Sequence, residues 1–167
     1  MTSAMLHLRA RTLDDTCSIA AALAGVARVG DLIVLAGEMG SGKTAFAKGF
    51  AAALGVTEPV TSPTYTLVHS YDAGRVTLHH ADIYRLSTQN EVADLALSEL
   101  LEYDGIVLLE WGDVVAGSLG DHLLVRLDPV DDDEGARRLT VTANGRTWAV
   151  RWERVEAVTA TFAEPRG

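Results

Sequence analysis

The chain has 167 residues, 48% of them apolar and 22% charged, with a formal charge of −9. That length suits one domain over residues 1–167, hiding roughly 70% of its unfolded surface, and the charge argues against strong direct nucleic-acid binding, which draws on Lys and Arg against phosphates. No apolar run approaches the roughly 20 residues of a membrane helix, the start MTSAMLHLRA lacks the pattern of a secretion signal, and the lone Cys17 excludes an internal disulfide, so a cytoplasmic protein is expected.

Residues 5–8 read as a short first strand. Thr12 is a plausible N-cap for a helix read through to Gly30, with Asp15 in its first turn. Cys17, in the alanine-rich part of that helix, reads as a small buried side chain. Leu32 to Ala36 is a continuous apolar run, the signature of a strand buried on both faces. A glycine loop follows. Then Phe46, Phe50 and Leu54 recur every four residues on a helix that Gly55 ends.

Residues 56–66 form a loop rich in proline and threonine. Residues 67–86 read as two strands joined by a turn at Asp72, Ala73 and Gly74. Helical periodicity returns at 88–105. Residues 105–113 form a second buried strand that ends in acid. DHLLVRLDPV and ARRLTVTANG read as a late antiparallel pair, joined across the acidic stretch 128–136, read as a solvated turn. In the tail, Trp148, Trp152 and Val155 share one helical face. The expected fold is α/β: a three-layer sandwich of the P-loop NTPase kind, with a mixed, mainly parallel central sheet and helices on both faces.

The loop GEMGSGKT, residues 37–44, matches G-x-x-x-x-G-K-[ST], with a buried strand before it and an amphipathic helix after it. A triphosphate needs many donors at close range, and successive backbone N–H groups supply them where no Cβ intrudes. The helix starting near Lys43 adds its positive end. Lys43 is one of only two lysines. Its compact ammonium suits outer phosphates, and the Thr44 hydroxyl suits Mg²⁺. The expected nucleotide-binding residues are Glu38, Met39, Gly40, Ser41, Gly42, Lys43, Thr44 and Ala45, with Thr12 as an adenine contact. Lys48 is read as solvated. Neither lysine follows Asn or Thr, so the N/T-K-x-D guanine signature is absent and ATP with Mg²⁺ is the expected ligand pair.

Two carboxylates stand at the ends of apolar strands, the usual ligand edge of an open α/β sheet. Glu110 follows the more apolar run and reads as the metal-side acid. Asp82 then orients or deprotonates the attacking group, or supports the water shell of the metal. Thr61, Ser62, Pro63 and Thr64 form a hydroxyl-rich candidate switch that senses the γ-phosphate. Trp111 either covers the site or packs in the core. His79 and His80 are adjacent on a strand, face opposite sides, and cannot share a zinc ion.

GDLIVLAGEMGSGKTAFAKGFAAALGV, VTSPTYTLVHSY, LHHADIYRL and LLEWGD, in this order, closely resemble the TsaE (YjeE) family over residues 30–113. The resemblance implies a small bacterial P-loop ATPase needed to make threonylcarbamoyladenosine in tRNA. It would act on the TsaB–TsaD complex, with hydrolysis tied to turnover by TsaD. It places Lys43 on phosphates, Thr44 and Glu110 on Mg²⁺, Asp82 in hydrolysis, and Ser62 to Thr64 in the switch. Tyr84 and Arg85 match the D-x-Y-R stretch of the family, where Arg85 either stabilises transition-state charge or holds Asp82. Two rivals are a small-molecule kinase and a binding module with negligible turnover. Residues 91–103 lack the arginine-rich lid of such a kinase.

Overall fold

The computed structural model describes residues 4–38, 40–60, 68–74, 76–82, 105–110, 120–131 and 133–164, with the backbone alone of Asp82. Its strands are β1 (Met5–Ala10), β2 (Leu32–Ala36), β3 (Val68–Asp72), β4 (Thr77–Asp82), β5 (Gly105–Glu110), β6 (His122–Val130) and β7 (Asp133–Asn144). They form one sheet in the order β1-β7-β6-β2-β5-β4-β3. The central four, β6, β2, β5 and β4, run parallel. β7 and β3 run against them, and β1 pairs antiparallel with β7. This is the mixed, mainly parallel α/β sheet that the apolar runs imply.

All five residues of β2 and all six of β5 are buried, as continuous apolar runs demand. Alternation sorts their side chains. Ile33, Leu35, Ile106 and Leu108 join the core beneath α1 (Leu13–Ala24) and α2 (Lys43–Leu54). Val34, Ala36, Val107 and Leu109 point the other way and are also fully buried. The sheet is thus covered on both faces, as a three-layer fold requires. Two short helices, α3 (Arg146–Ala149) and α4 (Trp152–Thr159), close the chain end, where Trp148 and Val155 are fully buried and Trp152 is half-buried.

α1 begins where its cap was expected. Thr12 Oγ1 accepts from Asp15 N at 3.1 Å, and Asp15 Oδ2 accepts from Arg11 N at 2.9 Å. It ends at Ala24, short of the expected Gly30. The Asp31 carboxylate accepts from Arg28 N and is itself held by Arg151, at 2.6 and 2.8 Å. A long-range ion pair therefore fixes the segment that follows the helix. The acidic stretch also differs from a long solvated turn. β6 continues to Val130 and β7 starts at Asp133, with an irregularity between Pro129 and Val130, so most of the acids lie on paired strands.

Cys17 is half-buried rather than buried, and its thiol donates to Ala45 O at 3.2 Å. The close approach of α1 and α2 depends on Gly49. A Cβ there would lie 2.6 Å from Cys17 O and 2.7 Å from Cys17 Cα. A helical Gly→Ala change ordinarily gains about 1 kcal/mol, whereas overpacking costs about 1–3 kcal/mol. We expect the clash to win: Gly49→Ala lowers the urea midpoint, and a raised midpoint would show that the two helices can part without cost.

Candidate functional site

The carboxyl ends of the parallel strands meet at one edge. Leu35 of β2 pairs in register with Glu110 of β5, and Glu110 with Asp82 of β4. Gly37 to Gly42 follow β2 at that edge and lead into α2. Gly37, Gly40 and Gly42 have φ of 142°, 80° and 102°, a region that side-chain-bearing residues rarely adopt. Steric limits differ among them. At Gly37 a Cβ would stand 2.5 Å from Leu127 O and 2.6 Å from Ser41 Oγ, whereas at Gly40 it would meet nothing within 4 Å. Gly37 therefore serves the close approach to β6, and Gly40 serves the bend of an open tip.

Lys43 folds back over this loop. Its Nζ donates to Gly37 O at 2.7 Å, Glu38 O at 2.8 Å and Ser41 Oγ at 3.4 Å. Only 7% of the residue is exposed. α2 differs from α1 at its start: no side chain caps it and no acid lies in its first turn. The positive end of its dipole is thus left to whatever the loop holds. Thr44, in that first turn, is exposed.

Two partners of the loop and its acid are not obvious from any motif. Arg137, on β7, donates through Nε to Ser41 O at 2.9 Å and through Nη2 to Gly40 O at 3.1 Å. Its other amino group, Nη1, reaches Glu134 O and Ala136 O. In a trans peptide the C=O and N–H point apart, so pulling Ser41 O toward Arg137 turns Gly42 N–H the other way. His80 Nε2 lies 2.8 Å from Glu110 Oε2, with His80 fully buried and Glu110 3% exposed. His80 Nε2–H is thus the donor that fixes the carboxylate. His79 faces the opposite side, bonds Ser70 Oγ at 2.7 Å, and is pushed below its ordinary pKa by burial.

The family profile described as "Threonylcarbamoyl adenosine biosynthesis protein TsaE" matches residues 10–139. The chain belongs to the TsaE family. The Bacillus subtilis (strain 168) tRNA threonylcarbamoyladenosine biosynthesis protein TsaE is 38% identical over 152 residues, 89% of this chain and 94% of the relative. Proteins of the same name from Treponema pallidum and Mycobacterium tuberculosis (strain H37Rv) are 36% and 40% identical, over 78% and 73% of this chain and 96% and 78% of theirs. The crystal structure of Bacillus subtilis YdiB superposes with a TM-score of 0.79 at 30% identity, covering 94% of this chain and 97% of that one.

Of the residues read from sequence as TsaE site residues, the structure brings Glu38, Gly40, Ser41, Gly42, Lys43, Thr44, Ala45 and Glu110 to one sheet edge, with the backbone of Asp82 beside Glu110. Thr12 uses its hydroxyl to cap α1. Lys48 is exposed, as expected. Met39, Thr61, Ser62, Pro63, Thr64, Tyr84, Arg85 and Trp111 lie outside the described residues. Arg137 and His80 went unassigned in the sequence reading. Arg137 stands 96 residues from its partner Ser41, and His80 30 residues from Glu110.

His80→Phe keeps a flat ring, slightly larger than imidazole, and removes the donor. A buried acceptor left unpaired costs about 1–3 kcal/mol, more when charged. We expect at least that loss in urea-denaturation stability; an unchanged midpoint would mean that the pair does not hold Glu110.

Proposed function

We propose that this chain binds ATP and Mg²⁺ at the glycine loop, hydrolyses ATP, and acts on the TsaB–TsaD complex to support its turnover in threonylcarbamoyladenosine synthesis, in the cytoplasm. The observation that carries this reading is the convergence of a buried lysine, three positive-φ glycines, an uncapped helix start and the held carboxylate of Glu110 on one sheet edge.

The residues fit the ligands. Among the described residues no three His, Cys, Asp or Glu stand close enough to hold a metal ion by themselves. That suits Mg²⁺, which keeps several waters and is bound through one or two carboxylates plus substrate phosphates. Thr44 and Glu110 would hold it, and it would neutralise charge growing on the outer phosphates. Backbone N–H groups of the loop would cradle the phosphates, with Lys43 exchanging its carbonyl partners for phosphate oxygens. In hydrolysis, water attacks the γ-phosphorus, the bond to the bridging oxygen breaks, and ADP and phosphate leave. Asp82 orients that water or takes its proton. Thr61, Ser62, Pro63 and Thr64 would sense the γ-phosphate, Arg85 would stabilise transition-state charge or hold Asp82, Trp111 would cover the site or pack in the core, and Thr12 would touch adenine.

The charge of −9 supports a role exerted through a protein partner rather than by gripping tRNA. The test is ATP turnover by the chain alone and with TsaB and TsaD added. We expect a large rise only with both partners. Phosphate appearing on a small metabolite would instead establish a kinase. Lys43→Ala should weaken ATP binding by about 1.5–3 kcal/mol, the value of a hydrogen bond to charge; unchanged affinity in calorimetry would remove Lys43 from the site.

A further inference from the structure

A groove of about 580 Å³ is lined by Arg9, Arg11, Asp133, Arg138, Phe162 and Glu164 among others. Arg9 alternates on β1 with Leu8 and Ala10, both fully buried, so it lies on the face turned from the core. Arg9 and Arg138 are directly opposite each other in the β1–β7 ladder. Like charges in that position repel. Of these arginines, only Arg138 forms an ion pair among the described residues, with Glu164 Oε1 at 3.2 Å. Among the described residues no ion pair engages Arg9 or Arg11, and both are exposed. A chain with 23 acids and 14 Lys and Arg has therefore concentrated three guanidinium groups, with a net positive lining, in one concavity.

β1 is also the edge of the sheet. Its outer side carries the bridge from Leu8 to Ala163 and the bond from Glu164 N to His7 O. We propose that this groove docks an extended acidic segment of a partner protein, its carboxylates meeting Arg9 and Arg138, side by side across the ladder, and Arg11, two residues on from Arg9. Guanidinium forks take carboxylates in two-point contacts. The interleaved Asp133 and Glu164 tell against an RNA backbone, whose unbroken negative charge leaves no gap to accommodate them. None of these arginines belongs to the nucleotide site, so the inference stands or falls apart from it.

Fluorescence anisotropy with the full chain decides. The probes are a short peptide alternating glutamate with threonine, its lysine counterpart, and a single-stranded RNA oligonucleotide, each at low and high salt. We expect only the glutamate peptide to bind, weakly and with loss at high salt. Arg9→Gln and Arg138→Gln should each weaken it about tenfold. Both variants alter exposed side chains, and an intact circular-dichroism spectrum confirms that each is folded. No binding of the glutamate peptide, equal binding by the double variant, or preference for RNA with the same arginine dependence would each overturn the inference.

Discussion

The site depends on β2 being held between two parallel neighbours. Its pairing with β5 puts Glu110 beside Leu35, two residues before Gly37. Its pairing with β6 sets Ala36 beside Arg126 and brings Leu127 O under Gly37. No side chain fits at Gly37 once both ladders are made. The energy scale explains why the loop keeps its bent shape. Burying each large apolar side chain of β2 is worth about 1.5–3 kcal/mol. A backbone forced into the left-handed region costs a side-chain-bearing residue about 1–3 kcal/mol, and glycine escapes most of that. The core dictates where the loop starts, and the glycines let it turn there.

Lys43 and Glu110 are each positioned by the loop backbone or by a partner distant in sequence. Lys43 is held by loop carbonyls, Glu110 by His80, and the loop carbonyls by Arg137. A buried ammonium or carboxylate is expensive unless hydrogen-bonded. These contacts meet that need.

The elements legible in the sequence were those whose local signal and tertiary role coincide. Leu32–Ala36 was found to the residue because burial on both faces leaves an unbroken apolar run. α2 was bounded because its loop and Gly55 punctuate it. The end of α1 was misplaced because apolar residues continue through Val26, which is buried in the core although the helix has ended. Just past that end, Arg151, 120 residues from Asp31, donates to Val26 O and to the Asp31 carboxylate. The acidic stretch reads as a solvated turn, and Asp131, Asp133 and Glu134 are indeed exposed, but the turn is shorter than the charge run because paired strand backbone accepts charged side chains on its exposed side. The glycine loop and Glu110 were legible from motif and strand end. Arg137 and His80 were not, since a single arginine or histidine on a strand carries no spacing signal.

Arg137 and Arg138 show how strand geometry divides labour within one dipeptide. Successive side chains on β7 point to opposite faces. Arg137 turns to the glycine loop, and Arg138 turns to the outer groove, where it meets Glu164. The register that pairs Arg9 with Arg138 also pairs Ala10 with Arg137, so one ladder sets both placements. A one-residue slip of β1 against β7 would separate Arg9 from Arg138, but a slip of β7 itself would exchange the faces of both arginines and remove the brace from the loop. The buried Leu8 and Leu139, opposite each other one step along, forbid that exchange because it would bring both arginines and apolar side chains to the wrong side. Core packing at the sheet edge therefore keeps a cation on the loop more than 90 residues away in sequence, and the same packing holds the outward arginines together despite their repulsion.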